Sequence, residues 1–494
     1  MYGLEWFRNK KITVMGLGLH GGGVGIAKWL MRHGAVVTVT DLKDPAQLAA
    51  SVAELEKTYQ EAVFCFGESD VHRFIYVLGR HEEKDFTEAN MVIQNPAVPR
   101  DNPFLSRARS RQVPVESDIS LFFLLCPYPI TAVTGTKGKT TTTTLLADIC
   151  EAHDRRTVVG GNIRISPMDA LDGLLEMKAR KKPVAPPPIV LELSSWQLEG
   201  LEKHRLSPRV AVITNIMEDH LNRYNNSMDD YARAKELNVM FQGAGDTAIL
   251  NAGDGRLAAI GHKLLASGQP RVWWFAEKPV KKAEGCFVRT GKIVLAAGGK
   301  ETTLLPLRSL KILGSHNVGN VLAACAAAAV MGIPVQTIAK VVREFHGVPG
   351  RLEEIAAKRG IRFVNDTTAT TPDAAIAALR ALSAGQTKKI ILLAGGADKA
   401  LRFEDWAKQV RRHVKYLVLF EGAATVKMEA ALAAAGNKVL RGMAKTMPEA
   451  VKLALMQAER GDVILLSPGC ASFGLFINEF DRGDQFVAEV KKLR

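Results

Sequence analysis

At 494 residues the chain is too long for one hydrophobic core, and ~150 residues per domain predicts about three domains. Apolar residues at 47% and charged residues at 23% exclude a disordered or fibrous protein. Lys and Arg outnumber Asp and Glu by 65 to 51, a net charge of +14; the basic residues are scattered, as at Lys181 and Lys182 or Lys281 and Lys282, without interleaved aromatics, which favours a solvated basic surface over a polymer-binding patch.

The chain opens with MYGLEWFRNKK, which lacks the apolar run of a signal peptide. Next, ITVMGLGLHGGG (Ile12 to Gly23) reads as a strand entering a Gly-rich turn. Ile26 to Arg32 follows on helical spacing, and Ala35 to Thr40 is a second strand closed by Asp41. GLGLHG, Gly16 to Gly21, satisfies GxGxxG, and Asp41 stands where a ribose-binding acid would. The pattern fits NAD, FAD, any nucleotide diphosphate or a purely structural turn. A polar stretch with Asn95, Pro96, Pro99 and Pro103 leads to Val113 to Ser120, read as the last strand of an N-terminal domain and its exit, with a boundary near Ser117. The most apolar stretch, Leu121 to Ile130, is short and carries Pro127 and Pro129, which excludes a membrane span. The six cysteines lie far apart, without a CxxC pair or a His at zinc spacing. Reduced thiols and a soluble cytoplasmic protein are the expectation.

The central third begins with the strand Ile130 to Val133, the loop GTKGKT (Gly135 to Thr140) and the helix Thr141 to Cys150. The glycines let backbone N–H groups turn toward phosphate, Lys139 adds a point charge, and Thr140 offers a hydroxyl to Mg2+ at a helix N-terminus. The spacing is shorter than GxxxxGK[ST], since Val133 stands where the first Gly would. A Pro-rich surface loop, Lys181 to Pro188, gives way to the strand Ile189 to Leu193. In LELSSWQLE (Leu191 to Glu199), Glu192 stands in the strand near the phosphate loop, as a Mg2+ ligand should. TNIMEDHLNRY (Thr214 to Tyr224) ends another strand in an acidic turn with His220, where α/β sheets bind ligands. Lys235, on a helix, passes for a solvated charge. An Ala-rich helix runs from Asn317 to Met331, HGVPGR (His346 to Arg351) marks a boundary near Val348, and the strand Ile390 to Leu393 precedes AGGADK, Ala394 to Lys399. A strand, loop and helix thus recur three times, the rhythm of a parallel α/β protein.

Six segments together resemble the Mur ligase family: GTKGKT, LELSSWQLE, EDHLNRY with Lys235 downstream, SHNVGN (Ser315 to Asn320), GRLE (Gly350 to Glu353), and LLSPGCASFGLFINEFDRG (Leu465 to Gly483). The match spans essentially the whole chain. SSWQLE and SPGCAS are most similar to the branch that joins D-glutamate to UDP-N-acetylmuramoyl-L-alanine (UDP-MurNAc-L-Ala). The resemblance implies an α/β protein of three domains: a Rossmann-like domain for the UDP end of the substrate (1–117), a central P-loop ATPase with a mostly parallel sheet (118–347), and a Rossmann-like domain for the amino acid (348–494). It reassigns GLGLHG to a uridine diphosphate. The implied partners are UDP-MurNAc-L-Ala and glutamate, with no nucleic acid, no membrane insertion and a monomeric chain.

The implied cofactors are ATP and Mg2+ at two sites. By the same resemblance, Gly135, Thr136, Lys137, Gly138, Lys139, Thr140 and Thr141 cradle the phosphates, Asn317 and Asn320 meet adenine, and Arg351 and Asp366 reach the nucleotide. Thr140 and Glu192 hold one Mg2+, and His220 helps hold a second. Lys235 matches a lysine that becomes a carbamate and then ligates metal, so Lys139, Glu192, His220 and Lys235 form the catalytic set. Gly18, Leu19, His20, Asp41 and Asn162 serve the UDP substrate; Thr370, Lys399, Ser472 and Phe476 surround the amino acid. Departures from the family pattern are Lys137 for Asn, Arg164 for Gly, Thr368 for Lys, His20 for a small residue, and NPAVP (Asn95 to Pro99) for SPG. The alternatives are a related ligase, such as a folylpolyglutamate synthase or one using L-glutamate or another amino acid, an NAD-dependent dehydrogenase, and a nucleic-acid-dependent ATPase.

Overall fold

The computed structural model describes residues 2–18, 22–67, 71–163, 165–182, 184–219, 223–312, 314, 316–383, 389–398, 401–472 and 474–493. Among them three sheets form, and the chain divides into two compact units, Met1–Arg308 with Gly319–Val342 and Ser309–Val318 with Arg343–Arg494.

The first sheet comprises β1 (Lys11–Met15), β2 (Val36–Asp41), β3 (Ile75–Leu78), β4 (Met91–Gln94) and β5 (Val115–Glu116). Its order β3-β2-β1-β4-β5, parallel throughout, is a doubly wound arrangement whose crossover at β1 and β4 opens a crevice at the strand C-termini. β1 is apolar because it lies at the sheet's centre: Ile12, Val14 and Met15 are each about 1% exposed. Within the span Val113 to Ser120, expected to hold the last strand and the exit from the domain, the strand is two residues long, Val115–Glu116. Ser117 instead caps the helix Asp118–Leu125, its Oγ accepting from the Ser120 amide while Ser120 Oγ accepts from the Ser117 amide. This reciprocal box satisfies helix-terminal donors and overrides the strand propensity of the preceding residues.

The second sheet holds β6 (Thr131–Thr134), β7 (Val158–Gly161), β8 (Ile189–Glu192), β9 (Val210–Ile213), β10 (Thr247–Asn251), β11 (Arg271–Ala276), β12 (Gly285–Arg289), β13 (Lys292–Ala297) and β14 (Lys300–Pro306). It runs parallel from β7 through β8, β6, β9, β10 and β11 to β12, then ends in two antiparallel hairpins. One continuous core joins it to the first sheet, with Ile12, Trp29 and Leu30 packed in the same cluster as Ile130, Ala132 and Leu191. Asp172, on the helix Met168–Ala179, accepts from Trp29 Nε1 at 2.9 Å and contacts His33 Nε2 at 2.8 Å. Both sheets therefore sit in one unit.

The third sheet, in the second unit, is β15 (Glu353–Lys358), β16 (Ile361–Asn365), β17 (Ile390–Gly395), β18 (Val414–Phe420), β19 (Leu440–Ala444) and β20 (Val463–Leu466), in the order β15-β16-β20-β17-β18-β19. Only the β15–β16 hairpin is antiparallel. No helix among the described residues is long and apolar enough to cross a membrane.

Candidate active site

β6 lies between β8 and β9 and is buried along its whole length, so the loop leaving its C-terminal end opens at the sheet's centre. Gly135 (φ +148°) and Gly138 (φ +83°) take conformations that L side chains avoid. A Cβ on Gly135 would strike Thr214 Oγ1, and one on Gly138 would strike Asn320 Oδ1. The helix Lys139–His153 starts directly after Gly138, aiming its positive end at the loop. Thr140 is half-buried in its first turn, and Thr141 is buried. Lys139 Nζ folds back on the loop, donating to the Gly135 carbonyl at 2.9 Å and the Thr136 carbonyl at 3.0 Å.

Lys137 is held at all three of its polar groups by the segment after β9. Its amide donates to Asn215 Oδ1 (2.9 Å), its carbonyl accepts from Thr214 Oγ1 (2.6 Å) and Asn215 Nδ2 (3.0 Å), and its ammonium pairs with Asp219 at 3.0 Å. Thr214, Asn215 and Tyr231, whose hydroxyl lies 3.2 Å from Thr136 Oγ1, were not singled out in the sequence. The Thr-Asn pair closing an apolar strand was the available signal.

Glu192 ends β8 and is 1% exposed. Asn162 Nδ2 donates to its Oε1 at 2.8 Å, and the Asn162 amide donates to its carbonyl at 2.8 Å. The second carboxylate oxygen, Oε2, is buried without a hydrogen-bond partner among the described residues. A buried carboxylate oxygen with no donor fits a cation. Among the described residues no three His, Cys, Asp or Glu side chains converge as a metal cage. The donor set of one carboxylate and the Thr140 hydroxyl suits Mg2+, which keeps waters and substrate phosphates as its remaining ligands.

Lys235 is not the solvated charge that helical spacing suggested. Its side chain, on the helix Met228–Met240, is 1% exposed, lies 4.8 Å over the Tyr231 ring and donates to the Gly135 carbonyl at 2.9 Å. Burial, reinforced by the Lys139 charge, holds its ammonium well below the ordinary lysine range, while Asp219 and Glu192 pull the other way. The shift is toward the neutral amine.

At the Gly-rich turn after β1, the two Asp41 oxygens accept from the amides of Gly18 (3.1 Å) and Lys43 (3.0 Å), so this carboxylate clamps the turn. Gly16 (φ +88°) faces Asn95, whose Nδ2 donates to its carbonyl at 3.1 Å. A small crevice opens here, lined by Gly16, Gly22, Asn95 and Asp118; burial raises the Asp118 carboxyl to about 6. A second, larger cleft lies beyond Gln94 and Pro96, lined by Arg109, Trp196, Gln197 and Arg223. Leu19, His20, His220 and Lys399, and the departure at Arg164, lie outside the described residues.

In the second unit, Asp366 follows β16 and is buried. It accepts from Ser467 Oγ (2.7 Å) and the Leu352 amide (3.1 Å), and burial raises its carboxyl to about 7 against those two bonds. Arg351 is exposed and Thr370 half-buried. Ser472 is 2% exposed, its Oγ without a hydrogen-bond partner among the described residues, and Phe476 packs edge-on against Phe420 at 5.4 Å. Asp366 and Thr370 follow β16, and Ser472 and Phe476 follow β20, its parallel neighbour. Asn317 and Asn320 are both buried on the helix His316–Val330, within which the division between units falls.

Residues 133–328 match the Mur ligase middle domain, and 350–470 match the Mur ligase, glutamate ligase domain. A UDP-N-acetylmuramoylalanine–D-glutamate ligase of Roseiflexus sp. (strain RS-1) is 40% identical over 487 residues, covering 97% of each chain. Its counterpart in Geobacter metallireducens is 36% identical over 484 residues, covering 98% of each. Among solved structures, the UDP-N-acetylmuramate-alanine ligase MurC of Thermotoga maritima aligns with a TM-score of 0.58 at 22% identity, covering 98% of this chain and 99% of that one. A pseudomurein peptide ligase type C from Methanothermus fervidus aligns at 0.56 and 19% identity, covering 98% and 100%. These two likenesses concern the fold.

Proposed function

The chain belongs to the Mur ligase family, and on that premise we propose that it joins D-glutamate to UDP-MurNAc-L-Ala with conversion of ATP to ADP and phosphate, in the synthesis of peptidoglycan precursors. The observation that carries this reading is the meeting of Lys139, Glu192 and Lys235 around the loop after β6, combined with identity to D-glutamate ligases over nearly the whole chain.

The substrate carboxylate attacks the γ-phosphorus of ATP, giving an acyl phosphate and ADP. The neutral amine of glutamate then attacks the acyl carbon, phosphate leaves, and the amide remains. The first step brings two anions together, so positioning and charge neutralisation supply most of the rate. Lys139 leaves its own loop carbonyls to meet the phosphates, and the helix N-terminus behind it adds its dipole. Mg2+, when bound, neutralises the β- and γ-phosphate oxygens; Thr140 and Glu192 would hold one ion, and His220 a second. Asn162, bonded to Glu192, orients that carboxylate and faces the uridine substrate. Lys235 favours the neutral amine that captures CO2, and as a carbamate it presents anionic oxygens in place of a repelling cation.

We assign residues 1–117 to the uridine-nucleotide substrate, 118–347 to ATP and 348–494 to the amino acid; one sheet in each segment supports the division. Gly18, Leu19, His20 and Asp41 take the uridine end, and the polar cleft beyond Pro96, lined by Arg109 and Arg223, lies open to the anionic substrate. Gly135 to Thr141, Asn317, Asn320, Arg351 and Asp366 take ATP; Thr370, Lys399, Ser472 and Phe476 take glutamate. The enzyme acts as a monomer in the cytoplasm, where both nucleotides are made.

An amino-acid panel with UDP-MurNAc-L-Ala and ATP, scored for ADP and amide product, tests the reading. D-Glu should give the highest turnover. Preference for L-Glu or another acid, or ADP formation without amide, would refute it.

A further inference from the structure

The crevice at the ends of β1 and β4, proposed to take the nucleotide end of the substrate, lacks the charge such a ligand needs. Its described lining is apolar or uncharged apart from Asp118, whose Oδ2 lies 3.7 Å from where a Cβ on Gly22 would stand, at the start of the helix Gly22–Arg32. No cation is among those lining residues. A diphosphate is a multiply charged anion, and its counter-charge has to come from a neighbouring surface.

The adjoining cleft supplies it. Gln94 and Pro96 line both the crevice and the cleft, and Gln94 Nε2 donates to the Val98 carbonyl at 2.8 Å, which fixes the wall between them. Trp196 and Gln197 close the far side, on the helix Ser195–Glu202 that starts three residues after Glu192. A substrate stretched from the Gly-rich turn to Glu192 therefore passes here. Four cations line the cleft, Arg100, Arg109, Lys203 and Arg223, against two carboxylates, Glu116 and Glu199. Glu116 is already held by Lys203 at 2.8 Å and His204 at 3.0 Å. Arg100 stands 3.8 Å from Glu199, beyond hydrogen-bond length, and Arg223 lies 4.6 Å over the Trp196 ring. Arg109 is the least satisfied. In the last turn of the helix Pro103–Ser110, its Nη1 donates to the Arg100 carbonyl at 2.7 Å, and no carboxylate lies within ion-pair distance of it among the described residues. Partial burial, and then the Arg100 charge, lower its guanidinium. Two arginines that repel each other at the rim of a cleft are an arrangement that a bound anion relieves.

We propose that Arg109, with Arg100 beside it, binds the diphosphate of the nucleotide substrate and so selects the nucleotide-linked sugar over the free one. The proposal rests on the reading of residues 1–117 as the uridine-nucleotide domain. A guanidinium fork matches phosphate oxygens in pairs, which a lysine cannot do. The diphosphate takes no part in bond making, so its contacts are equal in ground and transition states and act on KM rather than kcat.

The test uses the full chain with Arg109→Met, Arg109→Lys and the double variant Arg100→Met/Arg109→Met. It measures kcat, the KM of each of the three substrates, the inhibition constants of UDP and of uridine against UDP-MurNAc-L-Ala, and the melting temperature. Arg109→Met should raise the KM of UDP-MurNAc-L-Ala and the inhibition constant of UDP by about tenfold, while kcat, the ATP and glutamate KM values and inhibition by uridine stay within about twofold. Arg109→Lys, which keeps the charge, should recover part of that loss, and the double variant should lose more. If a Met variant fails to fold, Arg109→Lys carries the comparison of UDP with uridine. An equal loss for UDP and uridine, or an equal rise in all three KM values with a lower melting temperature, would show a structural role and overturn the proposal. Unchanged constants for UDP and UDP-MurNAc-L-Ala in the variants, beside wild-type turnover of that substrate, overturn the proposal and leave the nucleotide domain standing. A wild-type chain that neither uses UDP-MurNAc-L-Ala nor is inhibited by UDP overturns both.

Discussion

Two lysines two positions apart in a phosphate loop, Lys137 and Lys139, invite the assumption that both hold phosphate, yet their bonds differ. Lys139 lies on the loop's own carbonyls, where an incoming anion can draw it away, whereas Lys137 is fixed by amide, carbonyl and ammonium to Thr214, Asn215 and Asp219. Lys139→Ala should abolish turnover. The Lys137–Asp219 pair is half exposed on the lysine side, and such pairs are worth ~0.2–1 kcal/mol. Lys137→Asn should therefore change the KM for ATP by less than about fivefold; a rise of well over tenfold would show that Lys137 reaches the phosphates. Asp366 supplies a second prediction, on stability. Its carboxyl rises from 3.8 unfolded to about 7 folded through burial, so between those values the folded state binds the extra proton and stability falls as pH rises, levelling off above about 7. Asp366→Asn keeps an acceptor for the Leu352 amide and can donate to Ser467. It should stabilise the protein above pH 7, by at most about 4 kcal/mol, with little effect near pH 4, while impairing ATP use. Denaturant midpoints at both pH values decide it.

At the scale of elements, Ser117 shows a local bond setting a boundary. Its reciprocal bonds with Ser120 end β5 at Glu116 and start the helix Asp118–Leu125. Ser117→Ala should cost about 1 kcal/mol, read as a lower urea midpoint with unchanged slope. Val113 to Ser120 read as a strand and the exit from the domain, and the helix start inside it was missed because a Ser-x-x-Ser box is a weaker signal than Ser-x-x-Glu. By contrast, the strands before the Gly-rich turn and the phosphate loop were legible: a central parallel strand is buried on both faces and reads as an unbroken apolar run. Glu192 was legible for the same reason, as a lone carboxylate ending such a run. Lys235 was legible only through the family resemblance, and Arg482 was not legible. Each is a charged residue at an ordinary helical position, and what removes it from water is a neighbour brought by the fold: Tyr231 and the Gly135 carbonyl for one, Thr367 and Cys470 for the other. Periodicity records which face a residue takes, and it does not record what the opposing surface supplies.

At the scale of the whole molecule, the +14 charge is the feature most open to a different function. A polynucleotide site needs cations lined up to replace counter-ions along a phosphate backbone. Here the surface cations alternate with carboxylates: Arg209 with Asp246, Arg233 with Glu202, Arg256 with Asp229, Arg271 with Glu284 and Arg289 with Glu301. Such pairs disperse the field over the first unit and leave no basic stripe along these elements. The excess charge then serves solubility and the approach of small anions, and all three substrates are anionic. Phosphate release should therefore stay within about twofold when RNA or duplex DNA is added at low salt, where a protein making 6–10 phosphate contacts would bind ~10³–10⁵-fold more tightly than at 200 mM. The same assay should respond strongly to UDP-MurNAc-L-Ala with D-Glu. Stimulation by polynucleotide without a response to those two substrates would move the ATP chemistry at Lys139 and Glu192 to another reaction.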